Sequence, residues 1–141
     1  MEETLLDIIE LLDMDYVVYL HRDTRELLNH PVIGDVFDAE LEYLRDEVLD
    51  IVDMRPDDFI RFEPPASREK FVWMGAFAAT IEPAASRELL EESLRARKPF
   101  RAFRDTLENL HLEDNWYLFQ DASMLIYVKD VLSREGFTAT E

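Results

Sequence analysis

Five basic residues fall within ten positions, Arg95, Arg97, Lys98, Arg101 and Arg104, with no acid among them. Arginine grips carboxylate or phosphate through a planar fork of donors, so such a cluster suits an anion or an acidic partner. A helix start strengthens that reading, because its dipole opposes the cations and welcomes an anion. With helical continuation, Arg97, Arg101 and Arg104 recur at i, i+4 and i+7 and share one face, away from Phe100 and Phe103. A competing reading satisfies the cluster internally. Arg101–Asp105 and Arg104–Glu108 are i, i+4 pairs, and the acidic first half of the chain could dock on the same face. Exposed pairs of that kind contribute only about 0–1 kcal/mol each.

Other chemistries find less support. Asp50, Asp53, Asp57 and Asp58 crowd the end of a predicted helix. Hard divalent cations take such oxygen ligands. No Asp-x-Asp-x-Asp-Gly loop is present, and a solvated acidic face is the simpler reading. His21, His30 and His111 lie in separate elements, with none at the i+4 spacing of a zinc site. His111, followed by Glu113 and Asp114, reads as a cap or surface residue. Gly34, Gly75 and Gly136 are too scattered for a phosphate-cradling loop, and no Gly-x-Ser-x-Gly elbow occurs. The absence of cysteine excludes a disulfide scaffold and a thiol nucleophile. Nothing calls for a metal or a cofactor. Trp73, Trp116 and Tyr117 could form a stacking platform, but aromatics at helical spacing favour a core. Trp116 is expected to anchor the last helix on Phe100 and Phe103. Trp73, off the stripe of Phe71 and Phe77, is expected to be partly exposed.

The elements that must position these groups come from 141 residues, enough for one domain over 1–141 with a real core. Apolar residues make up 48% and aromatics 11%, too much for a disordered chain. The net charge is −17, unevenly spread. Residues 1–66 carry 19 acids and 5 bases, and residues 67–141 carry 13 acids and 10 bases. That field repels nucleic acid and anionic lipid, and a basic protein partner suits it. Plain solubility, or a host with high internal salt, would also account for it. No apolar run is long enough to cross a membrane, and the acidic Met1-Glu2-Glu3 start is unlike a signal peptide. A cytoplasmic protein is expected.

Residues 2–13 predict an amphipathic helix burying Leu5, Ile8, Ile9 and Leu12. Tyr16–Leu20 and Glu26–Asn29 predict a hairpin, and Phe59–Phe62 a third strand. Between them, residues 38–53 predict a helix capped by Asp38, with a stripe of Leu41, Leu44, Val48, Ile51 and Val52. From Ser67, the expected N-cap, everything reads as helix. Phe71, Met74, Phe77, Ala78 and Ile81 form one stripe. Pro83 opens a helix burying Leu89, Leu90 and Leu94, and Pro99 opens another. The last, from about 113 to 135, is apolar nearly all round and should be the most buried. Gly136 fits a Schellman cap. The expected fold class is α+β. A small antiparallel sheet with an N-terminal helix makes an acidic part (1–66). A bundle of about four helices follows (67–137).

The second half resembles a known family. Pro65-Ala66-Ser67, Met74 and Phe77, then Phe100-Arg101-Ala102-Phe103-Arg104-Asp105, then Trp116-Tyr117-Leu118-Phe119-Gln120-Asp121 appear in order. This is similar to uncharacterised bacterial protein family 0158 of the UPF series, with its FRxF(K/R)D and WYxFxD motifs. The resemblance spans about residues 5–137. In the hairpin, His21 stands where the family has an aspartate, and Arg25 where it has the turn glycine. The resemblance implies the fold and no activity. It places Arg101 and Arg104 inside a family motif.

The functional expectation is a small acidic protein-interaction or regulatory module without catalysis. Its acidic face could mimic nucleic acid towards a basic partner. The alternative is an enzyme or binding protein for a phosphorylated or anionic small ligand. It would use Arg97, Arg101 and Arg104, with a divalent cation as helper.

Overall fold

The computed structural model describes residues 2–34 and 38–137. The fold is α+β, with six helices and one three-stranded antiparallel sheet among the described residues. The chain divides into two compact units, Met1–Pro64 with Leu125–Glu141, and Pro65–Met124. They are termed the sheet unit and the helical unit.

In the sheet unit, α1 (Glu2–Asp13) buries Leu5, Ile8, Ile9 and Leu12, as its spacing dictates. The hairpin follows as β1 (Tyr16–His21) and β2 (Leu27–Pro31). Helix α2 (Ala39–Met54) is capped by Asp38, whose carboxylate accepts from the Glu40 and Leu41 amides. A 3-10 turn at Pro56–Asp58 leads into β3 (Phe59–Phe62). Strand order is β2-β1-β3, so β1 is central. Its residues 17–20 are all buried, which requires cover on both faces. Val17 and Tyr19 join Val52 in one cluster, with Val48 and Leu49 of α2 against it. Val18 and Leu20 point the other way, beside Phe62 and Ile60.

This packing corrects the expected face of α2. Val48, Leu49 and Val52 point inward, whereas Leu44 and Ile51 are exposed. The apolar residues of α2 fall on two sides, and the sheet accepts only one.

The turn between β1 and β2 lacks glycine. Arg25 takes its left-handed position at φ 66°. His21 serves it as an acceptor, with Nδ1 receiving the Asp23 and Thr24 amides at 3.1 and 3.2 Å. An aspartate side chain makes the same local bonds.

The helical unit holds α3 (Ser67–Ala79), α4 (Ala84–Ser93), α5 (Pro99–Leu110) and the start of α6 (Glu113–Arg134). Its core is Met74, Phe77, Ala78, Ile81, Leu90, Phe103 and Leu107. Phe77 is the aromatic centre, with Phe103, Trp116 and Phe119 rings at 6.3, 5.5 and 5.4 Å, all edge-on. Trp116 anchors on Phe103 at 5.2 Å. Its other expected partner, Phe100, is exposed.

Several expectations shift by one or two positions. Trp73 is 8% exposed and Phe71 37%, so the buried stripe of α3 is 73, 74, 77 and 78, continued by Ile81 just beyond its end. That set is the one consistent with i, i+1, i+4, i+5 and i+8. Ala66, not Ser67, is the N-cap, with extended backbone at φ −64° and ψ 157°. Pro83 is likewise the cap of α4 rather than its first residue, and Leu89 faces outward. Helix α6 is not buried all round. Met124, Val128 and Leu132 form its buried line, and Leu118 is 72% exposed. Its end is the expected Schellman cap. Gly136 sits at φ 72°, and the Phe137 amide bonds the Leu132 carbonyl at 2.9 Å. The end of α5 has the same bonding without glycine: His111 takes φ 57° and the Leu112 amide reaches the Leu107 carbonyl at 2.9 Å.

Candidate functional site

The basic cluster straddles the start of α5. Pro99 fills the first helical turn, where its missing N–H costs nothing. Arg97 therefore precedes the helix, and the i, i+4, i+7 argument does not reach it. Arg97, Lys98 and Arg101 line one hollow of about 500 Å³, shared with Asp105. Arg104, three residues on, turns to another side of α5 and lines a different hollow of about 440 Å³. Arg97 and Arg101 are thus brought together, and Arg104 is separated from them.

The second hollow holds residues that the sequence reading did not connect. Lys70 of α3 joins Arg104 over Phe100, Trp116 and Tyr117, and Glu108 and Glu113 are also in its wall. Helical spacing cannot bring Lys70 to Arg104, since tertiary packing does so.

The expected internal pairs do not form. Among the described residues, none of Arg95, Arg97, Lys98, Arg101, Arg104 and Lys70 has a carboxylate within 4.0 Å. Every ion pair found among those residues lies in the sheet unit. Arg22 is its hub. Its Nε donates to the Asp57 carbonyl at 3.1 Å. Its Nη1 and Nη2 reach the Glu135 carbonyl and carboxylate at 3.1 and 3.0 Å. The Arg25 guanidinium lies 4.2 Å over the Phe137 ring. These arginines tie the hairpin turn to Glu135 and Phe137.

No protein-family model, curated protein or solved structure matches the chain.

The remaining candidates lie in the sheet unit. Asp58 is paired with Arg55 at 3.8 Å, and Asp50, Asp53 and Asp57 are exposed. No group of three or more potential metal ligands occurs among the described residues. His30 is buried. Tyr19 donates to its Nε2 at 3.3 Å, and its Nδ1–H faces the Pro31 carbonyl at 3.1 Å. Burial raises the Tyr19 hydroxyl above its ordinary pKa, against the lowering pull of Arg61. No helix among the described residues is long and apolar enough to cross a membrane.

Proposed function

We propose that the protein is a small acidic protein-interaction or regulatory module without catalysis, acting in the cytoplasm on a basic protein partner. The supporting observation is how charge divides between the units. The sheet unit carries 22 acidic and 7 basic residues, net −15, and the helical unit 10 and 8, net −2. Five of the seven bases in the sheet unit are already held in ion pairs. Most of its carboxylates are therefore uncompensated. Such a field repels phosphate polymers and speeds encounter with a basic surface. Membership of uncharacterised protein family 0158 of the UPF series belongs to the same proposal, supported by the Phe100–Asp105 and Trp116–Asp121 motifs.

The test is affinity capture with the wild-type chain and with an Asp46→Lys/Glu47→Lys/Asp50→Lys/Asp53→Lys variant. A basic protein retained by the first and lost by the second is expected. Equal retention by both would contradict the reading.

A second reading, binding of a phosphorylated or anionic small ligand, draws on Arg97, Lys98 and Arg101 sharing one hollow without ion pairs. A ligand at about 100 times its Kd would stabilise the native state by about 2.7 kcal/mol. Thermal shifts with inorganic phosphate and nucleotides, lost in Arg97→Gln/Arg101→Gln, would favour it. Flat responses would remove it.

A further inference from the structure

A groove follows the corner between α4 and α5, wholly within the helical unit. It consists of two hollows of about 500 and 570 Å³ that share Ala96 and Ala102 in their walls. One end is cationic, with Arg97, Lys98 and Arg101. The other holds Leu89, half exposed, beside Ser93 and Thr106. Both hydroxyls there are turned to their own helices. Ser93 donates to the Leu90 carbonyl at 2.5 Å, and Thr106 to the Ala102 carbonyl at 2.8 Å. That end therefore offers apolar surface and no free hydroxyl proton.

The charge of this groove is unbalanced, unlike that of the Lys70–Arg104 hollow, where Glu108 and Glu113 offset the two bases. Four bases, Arg95, Arg97, Lys98 and Arg101, and two acids, Glu92 and Asp105, line it, a net of +2 on a chain of net −17. None of the four bases is in an ion pair among the described residues. Unpaired cations held this close repel one another, and an anion relieves that repulsion. The shape selects the kind of anion. Every wall residue falls between positions 89 and 106, so the groove is a trough on one corner rather than an enclosed cavity. Small ligands are held in clefts that cover most of their surface. From Lys98 to Thr106 the helix rises about 12 Å. An extended peptide covers that in about four residues, whereas a phosphate group fills only the cationic end. A phosphate polymer, charged at every residue, is repelled by so acidic a chain, and a short peptide carries too few charges for that repulsion to dominate.

We propose that the α4–α5 groove binds a short, extended, acidic segment of a partner protein. Its carboxylates lie on Arg97, Lys98 and Arg101, and an apolar side chain about three or four residues away lies on Leu89. Arginine forks grip carboxylates in pairs of bonds, and the apolar end fixes the direction of the segment. The module then carries two contact surfaces of opposite sign, an acidic one for a basic partner and this groove for an acidic segment. The two are independent. The capture variant changes only α2, and the variants below change only residues 89–101. The small-anion reading uses the same arginines, and the experiment separates it from this one.

The test is heteronuclear NMR of the full chain in about 0.15 M NaCl, titrated with a capped Leu-Ala-Ala-Glu-Asp-Glu peptide. Saturable shifts of amides within residues 89–106 are expected, with a Kd below about 1 mM. Arg97→Gln/Arg101→Gln should weaken binding at least about tenfold, and Leu89→Gln about threefold. Glycine in place of the peptide's leucine should weaken it about as much as Leu89→Gln. The spectrum of each free variant shows that it is folded. No saturable shift at about 5 mM peptide overturns the proposal. So does equal binding of the glycine peptide, or the same shifts from inorganic phosphate at equal ionic strength, either of which makes the groove a small-anion site only. An oligothymidylate that binds more tightly than the peptide overturns it in favour of a nucleic-acid strand.

Discussion

The sheet unit and the helical unit use their basic residues in opposite ways. In the first, Arg22, Arg45, Arg55, Arg61 and Arg134 each hold a carboxylate at 2.7–3.8 Å. In the second, Arg68, Lys70, Arg95, Arg97, Lys98, Arg101 and Arg104 hold none among the described residues. Yet the first unit is rich in acid and the second nearly balanced. Net charge therefore says little about which side chains are committed to the fold. Committed arginines stiffen a structure, and uncommitted ones are available to something outside it.

The largest expected effect tests where the stability of the helical unit resides. If it rests on the aromatic cluster rather than on charge, Phe77→Ala should lose about 3–5 kcal/mol in urea denaturation, by cavity formation and lost ring contacts. A loss under about 1 kcal/mol would break that side of the comparison.

Next comes the hub of the sheet unit. Arg22→Ala removes three charge-assisted bonds at a partly exposed site. It should cost about 1–2 kcal/mol, read from the denaturation midpoint. A value near zero would make this arginine no more committed than those of the helical unit.

Tyr19→Phe sharpens the account of the central strand. At neutral pH it should cost about 1 kcal/mol, because His30 Nε2 loses its donor. The Tyr19 pKa is raised in the folded state, so its contribution is fully present below about pH 10 and is lost as pH rises towards the folded value. The variant should therefore lose less stability than the wild type above about pH 10. An unchanged alkaline slope would contradict the burial of that hydroxyl.

The smallest effect belongs to the end of α5. His111→Gly relieves a left-handed residue, at the cost of a more flexible unfolded chain, and should gain about 0.5 kcal/mol. A thermal midpoint that falls would show that the histidine side chain contributes there.

Much of the fold was legible because the periodicities are strong. Leu5, Ile8, Ile9 and Leu12 wrote out α1. The Tyr16–Leu20 run marked a strand, and Pro99 and Gly136 marked helix ends. What escaped was which of two apolar lines a helix buries. In α2 both Val52 and Ile51 are apolar, and only the sheet decides between them. In α3 a shift of two residues exchanged Phe71 for Trp73. The basic cluster was legible as composition, but its geometry was not. Arg97 lies before the helix, Arg104 turns away, and Lys70 arrives from another element.

The most direct test of that uncommitted charge is the urea stability of Lys70→Gln/Arg97→Gln/Arg101→Gln/Arg104→Gln in about 1 M NaCl, where screening acts over about 3 Å and the change in net charge matters little. The variant should match the wild type within about 0.5 kcal/mol, as surface changes away from fold contacts do. A loss above about 1.5 kcal/mol would show that these residues hold the fold together, and would contradict their reservation for a partner.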